Sequence, residues 1–210
     1  MRTDYLGVNL AMSTVLQTRF VTPEEYLAAE QSAERKSEYL NGEVFAMAGT
    51  TRHNPIVTNL VGELRNQLRK LPCDIYSQDL RVRVSATALY TYPDVIVTCA
   101  EEQFADGPGN PSLLNPVLLI EVLSESTGDY DRGQKFEHYR TLQSIREYLM
   151  VDQAKMHVEH WQIQRVGSWL RTEFSQPGDS VNLVINAKLS LTDIYEKVLF
   201  EAPESRHLTT

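Results

Sequence analysis

Cysteine is scarce in this chain: Cys73 and Cys99 are the two among 210 residues. Two cysteines cannot build a disulfide framework. Without a CxxC pair or a Cys/His cluster there is no zinc signature either. Both read as reduced thiols of a cytoplasmic protein. Long apolar runs are also missing, since no stretch reaches the ~20 residues that a helical membrane span needs. Around the N-terminus Arg2 precedes a mildly apolar stretch from Val8 to Leu16. Asp4, Asn9, Ser13 and Thr14 interrupt it, and no clean small-residue cleavage site follows, so residues 1–20 read as a flexible extension. Positive charge is in deficit, with 20 Lys and Arg against 28 Asp and Glu and a formal net charge of −8. That balance argues against non-specific coating of nucleic acid, although it leaves room for a local basic patch. Internal repeats and low-complexity segments are absent.

What is present is a pair of carboxylates set in apolar runs. Tyr92-Pro93-Asp94-Val95-Ile96-Val97 carries the first, and Pro116-Val117-Leu118-Leu119-Ile120-Glu121-Val122-Leu123 carries the second. Burying a charge is costly unless it is paired, hydrogen-bonded or bound to a metal. Two acids near the ends of neighbouring buried strands suggest that the fold delivers them to one place. A hard divalent cation needs that arrangement, so a metal-dependent hydrolase is the first expectation. The hydrophobic fraction of 42% and charged fraction of 23% suit one globular domain, taken as residues 21–200 with a tail at 201–210.

The order of elements supports an α/β core. Thr22-Pro23-Glu24-Glu25 is a helix start, with Thr22 as cap, Pro23 in the first turn and Glu25 closing a capping box. Ser37 to Met47 reads as a hairpin about Asn41-Gly42, a turn that needs positive φ at both positions. Val57, Leu60, Val61, Leu64 and Leu68 recur at helical spacing between His53 and Lys70. Asp79 to Val84 alternates as a half-exposed strand. The Asp94 strand follows, then a loop at Gly107-Pro108-Gly109-Asn110-Pro111 and the Glu121 strand. After a turn at Ser126-Thr127-Gly128-Asp129, a helix is expected from Asp131 to Ser144, burying Phe136, Tyr139 and Leu142. Tyr148 to Val151 is a further strand. Val158 to Arg165 and Trp169 to Phe174 form another hairpin, a strand runs over Val181 to Ile185, and a helix from Thr192 to Leu199 closes the fold. This predicts a mixed central sheet flanked by helices, with added β-hairpins and a crevice at one edge.

Taken as an ordered set, these segments resemble the PD-(D/E)XK nuclease superfamily. More closely, they are similar to the Uma-two family of restriction-endonuclease-like proteins. The matching stretches are Ser37 to Val44, the His53 helix start, Tyr92-Pro93-Asp94-Val95, Ile120 to Thr127, Asp131 through Lys135 to Tyr139, and Tyr148 to Asp152. The similarity runs from about Phe20 to Phe200. The superfamily pattern places a lysine two residues after the second acid, where this chain has Leu123. The resemblance implies that Lys135, on the next helix, takes that role.

What the resemblance implies chemically is an endonuclease that hydrolyses DNA phosphodiester bonds with Mg²⁺ or Mn²⁺. Asp94, Glu121 and the Val122 carbonyl would supply oxygen ligands, and Lys135 would stabilise charge on the phosphorane or orient the attacking water. Glu43, Glu38, His53 and Gln134 are candidate supporting residues, and Tyr139 reads as core. Arg81 and Arg83, with Arg65, Arg69 and Lys70, are candidate phosphate contacts. A homodimer is expected, because two copies about a two-fold axis cut both strands of a duplex most simply. Two alternatives stay open. One is a non-catalytic descendant that binds nucleic acid or protein, favoured by Leu123. The other is a glycoside hydrolase using the two carboxylates, for which Trp161 and Trp169 offer only an ordinary strand setting.

Overall fold

A computed structural model describes residues 20–46, 52–107, 111–124, 128–165 and 167–200. Most of the expected N-terminal extension, the C-terminal tail, and parts of the Gly107–Pro111 loop and the Ser126–Asp129 turn lie outside the described residues. Helix α1 (Pro23–Glu30) starts as the sequence predicts: Thr22 Oγ1 accepts from the Glu25 amide at 3.2 Å, and Glu25 Oε2 accepts from the Thr22 amide at 3.0 Å. Strands β1 (Ser37–Leu40) and β2 (Glu43–Ala46) form the expected hairpin, with Asn41 at φ 48° and Gly42 at φ 94°.

Helix α2 (His53–Leu68) buries Ile56, Val57, Leu60, Leu64 and Leu68. Then come β3 (Asp74–Ser77), β4 (Arg81–Val84), β5 (Leu89–Thr91), β6 (Val95–Thr98), β7 (Phe104–Ala105), β8 (Ser112–Leu113) and β9 (Leu118–Leu123). Helix α3 spans residues 128–139 and widens to π geometry over Asp131–Lys135. The remaining elements are β10 (Glu147–Asp152), β11 (Val158–Arg165), β12 (Ser168–Phe174), β13 (Ser180–Leu183), β14 (Ala187–Ser190) and α4 (Leu191–Ile194).

The architecture is mixed α/β, and it holds two large sheets where one was expected. Strands β2-β1-β5-β4-β8-β7 make the first, and β12-β11-β10-β9-β6-β3 the second; β13 and β14 pair separately. The chain passes from the first sheet to the second between β5 and β6, through Tyr92-Pro93-Asp94. Proline suits this crossing because it has no N–H to offer a ladder. In the second sheet β9 runs parallel to β10 and antiparallel to β6. One face of β9, with Ile120 and Val122, packs under α2. The other, with Leu119 and Leu123, packs against Phe136 and Tyr139 of α3 and against Val82, Val84 and Leu89 of the first sheet. Strand alternation puts Glu121 on this second face, between the two sheets and α3.

Three expectations change here. Cys73 and Cys99 are joined as a disulfide rather than reduced. The reason is β3, which the sequence reading passed over: its ladder pairs Asp74 with Thr98, so Cys73 and Cys99 are the next residues outward on the two strands. Strand β4 is also not half-exposed. Arg81 is covered by the Tyr26 and Tyr90 rings, and on the same face Arg83 stays half-buried, so alternation here separates a fully buried face from a largely covered one. The C-terminal helix ends at Ile194 rather than Leu199, because Tyr195 leaves helical geometry and Lys197 takes a positive φ of 60°. Among the described residues, no helix is long and apolar enough to cross a membrane.

Candidate active site

Asp94 stands at the head of β6, where the chain has just left the first sheet. Its Oδ2 accepts from the Val122 amide on β9 at 2.7 Å. Its Oδ1 meets His53 Nε2 at 2.9 Å and accepts from Gln78 Nε2 at 3.2 Å. His53 opens α2 and Gln78 follows β3, so three elements fix one carboxylate. Burial alone would lower the His53 pKa; the hydrogen bond and charge of Asp94 overcome this and hold it above the ordinary histidine value.

Beside this group lies a second one, centred on Lys135. Its ammonium reaches Glu38 Oε1 at 2.9 Å, Glu121 Oε1 at 3.0 Å and Asp131 Oδ1 at 3.4 Å. Tyr139 donates to Glu121 Oε1 at 2.7 Å, and Thr91 donates to Glu38 Oε1 at 2.5 Å. The Thr91 and Tyr139 hydroxyls are 3.3 Å apart. Glu38, Asp94, Glu121, Asp131 and Lys135 are all between 4% and 8% exposed.

Four buried carboxylates therefore face one lysine and one histidine. Burial drives the Glu121 pKa well above the carboxylate range, against the pull of Lys135, and Asp131, Asp94 and Glu38 add to the rise. Burial would also depress the Lys135 ammonium, but Glu121 and Glu38 reverse that and raise it well above the lysine value. Negative charge exceeds positive here, a condition that an added cation relieves.

No group of three or more His, Cys, Asp and Glu side chains among the described residues could by itself enclose a metal ion. The donors on offer are carboxylate oxygens on adjacent strands. Carboxylate oxygens are the donor type that a hard divalent cation takes, one or two at a time with most of its waters kept.

The other sequence candidates fall elsewhere. Glu43 is exposed on β2 and sits outside the cluster. Gln134 is exposed on the outer side of α3, lining an open hollow of about 600 Å³ with Leu40, Asn41 and His138. Arg65, Arg69 and Lys70 are exposed at the C-terminal end of α2 and just beyond it. That is roughly 18–25 Å from His53 at 1.5 Å per residue. Arg83 bonds Asp106 at 2.8 Å.

Arg81 cannot serve as a phosphate contact in this arrangement. It is 1% exposed, donates to Ser112 Oγ at 2.7 Å, and lies over the Tyr26 and Tyr90 rings. Its Met variant is expected to lose about 2–4 kcal/mol, a fall of roughly 5–10 °C in melting temperature. Affinity for DNA, measured on the folded fraction, should not change. The residues that sequence reasoning missed are Gln78, Thr91 and Asp131. Tyr139 was assigned to the core, and it is indeed buried, but its hydroxyl is committed to Glu121. Asp131 and Tyr139 lie four residues either side of Lys135, a spacing that marks one helix face.

A family model described as "Uma2: Putative restriction endonuclease" matches residues 23–192. The chain belongs to the Uma2 family. Two relatives from Synechocystis sp. are the uncharacterized proteins sll1609 and slr1290. The first is 37% identical over 163 residues, covering 77% of this chain and 92% of its own. The second is 32% identical over 182 residues, covering 86% and 94%. Among solved structures, a crystal structure titled as a putative nuclease belonging to DUF820 from Anabaena variabilis is similar. It has a TM-score of 0.65 and 19% identity, and the match covers 80% of this chain and 93% of that one. At that identity the likeness establishes the fold. For this Uma2 chain, the family description points to a nuclease.

Proposed function

We propose that this protein is a divalent-metal-dependent endonuclease that cuts DNA phosphodiester bonds at the Asp94–Glu121–Lys135 cluster. The observation that carries this reading is the excess of buried carboxylate over cation at the meeting of two strands and a helix. When bound there, Mg²⁺ or Mn²⁺ would supply positive charge to a phosphoryl oxygen and lower the pKa of the attacking water.

Asp94 and Glu121 would hold the ion, with the Val122 carbonyl as a further oxygen. Each protein residue then has a task of its own. The Val122 amide and His53 hold the Asp94 carboxylate in one orientation. Tyr139 does the same for Glu121, leaving its second oxygen for a ligand. Lys135, anchored by Glu38, keeps an ammonium at the position where negative charge grows on the phosphorane. Glu38 in turn is aimed by Thr91. Cleavage of both strands would use two copies about a two-fold axis.

The test is cleavage of supercoiled plasmid with Mg²⁺ or Mn²⁺, with and without chelator, alongside RNA of matched length. Asp94→Asn keeps an acceptor for the Val122 amide but removes the charge, and is expected to cut at least about a hundredfold more slowly. A wild-type protein that cuts no nucleic acid with any divalent ion would overturn the reading. Against the non-catalytic alternative, whose main support is Leu123, stands the Lys135 ammonium 3.0 Å from Glu121. Calorimetric titration with Mg²⁺ that detects no binding at millimolar concentration would restore it.

A further inference from the structure

Tyr130 sits on α3 one residue before the π-helical stretch, and its hydroxyl has no hydrogen-bond partner among the described residues although it is enclosed by protein. Buried hydroxyls are almost always partnered, because leaving one unpaired forfeits the bond it made to water. The other hydroxyls in this part of the molecule follow that rule: Tyr139 bonds Glu121, Thr91 bonds Glu38, and Tyr148 bonds the Asp131 carbonyl. Tyr130 stands among the same charges. Burial, with Glu38, Asp131 and Glu121 adding to it and Lys135 opposing, pushes its pKa up to about 12, so the phenol keeps its proton. Among the described residues it is a donor without an acceptor, near carboxylates that bond Lys135, Tyr139, Thr91, His53 and Gln78. Tyr130 as a whole is only partly buried, although its hydroxyl is enclosed.

We infer that the Tyr130 hydroxyl is a substrate contact of this site, donating to a non-bridging oxygen of the phosphodiester held beside Lys135. The inference rests on the nuclease reading for its substrate, and on the unpaired hydroxyl for its residue. A neutral donor suits this position: it binds a phosphoryl oxygen without adding to the crowd of charges, and it completes its own hydrogen bonding only when substrate arrives.

Tyr130→Phe removes one oxygen and no packing. It should leave the melting temperature of the free protein unchanged or slightly higher, because no hydrogen bond is lost. Tyr139→Phe, which removes a buried hydrogen bond to Glu121 Oε1, should lower it. With plasmid and Mg²⁺, Tyr130→Phe should reduce kcat/KM ten- to a hundredfold. In chelator, anisotropy of a labelled 20-base-pair duplex should show three- to tenfold weaker binding than wild type.

If wild type cuts and Tyr130→Phe cuts and binds equally well, the inference fails and the nuclease reading stands. If wild type binds duplex but cuts nothing, the nuclease reading fails; weaker binding by Tyr130→Phe would still support the contact, and equal binding would overturn it. If wild type neither binds nor cuts, both fail. A fall in melting temperature for Tyr130→Phe as large as that for Tyr139→Phe would show that the hydroxyl is already engaged in the fold, and would also overturn the inference.

Discussion

Lys135→Met is expected to lower the melting temperature by roughly 10 °C at neutral pH and to abolish cleavage. The lysine faces Glu38, Glu121 and Asp131 within 3.4 Å, and all four side chains are buried. Methionine fills much the same volume, so the loss is electrostatic: three carboxylates remain in a poorly solvated pocket without their ammonium. Removing one partner of a buried ionic group typically costs about 3–5 kcal/mol. For a chain of this size each kcal/mol shifts the melting temperature by roughly 2–4 °C.

The pH dependence has a definite sign. Burial raises the folded-state Glu121 pKa above that of the unfolded chain, and loss of the lysine removes the charge that opposes this. Such a group is most favourable below its unfolded pKa, and its contribution is lost as pH rises through the folded value. The deficit of the variant relative to wild type should therefore shrink as pH falls toward ~4 and grow toward neutrality. Thermal melts of both proteins across that range measure it. A constant deficit at all pH values would mean that the lysine acts through packing rather than charge. Millimolar Mg²⁺ should also stabilise the variant more than wild type, since the ion replaces the missing positive charge.

Glu121→Gln is expected to have the opposite profile: cleavage falls by at least about a thousandfold, roughly 4 kcal/mol of barrier, while the fold keeps its stability. Glutamine still offers an oxygen to the Tyr139 hydroxyl, and Lys135 retains Glu38 and Asp131. Burial raises the Glu121 pKa in the folded protein. In wild type, then, the contribution of Glu121 is full below the unfolded carboxylate pKa and declines as pH rises through the higher folded value. The variant has no such proton to lose, so it should gain on wild type as pH rises from ~4. Calorimetry with Mn²⁺ should show the binding heat of wild type lost in the variant. A well-folded Glu121→Gln protein that cleaves at the wild-type rate would remove Glu121 from the mechanism.

The candidate site was legible in part, for physical reasons that differ from residue to residue. Asp94 and Glu121 stood out because a charge inside a strand of valines and isoleucines must have a use or a partner. Lys135 was reached only through family resemblance, since a lone lysine on a helix ordinarily faces water. Glu38 and Glu43 looked alike on either side of a hairpin turn. Pairing decided between them: Glu38 lies on a strand hydrogen-bonded on both sides and points at Thr91, whereas Glu43 lies on the edge strand in solvent. Arg81 read as an exposed strand residue because alternation distinguishes two faces without saying what covers either one. Tyr130 carried no mark in the sequence, since a hydroxyl lacking a partner can be recognised only when every neighbour is placed.

Local chemistry written in the chain determined the capping box at Thr22, the Asn41-Gly42 turn, the apolar stripe of α2, the strand character of β6 and β9, and the presence of two costly acids. Those features depend on residues a few positions apart, so periodicity and turn preference suffice to find them. The tertiary structure alone decided that there are two sheets, that Cys73 meets Cys99, and that Lys135 lies among Glu38, Glu121 and Asp131. These are meetings between residues up to 97 positions apart. They are set by which strands pair and which faces pack, and no local pattern encodes that choice.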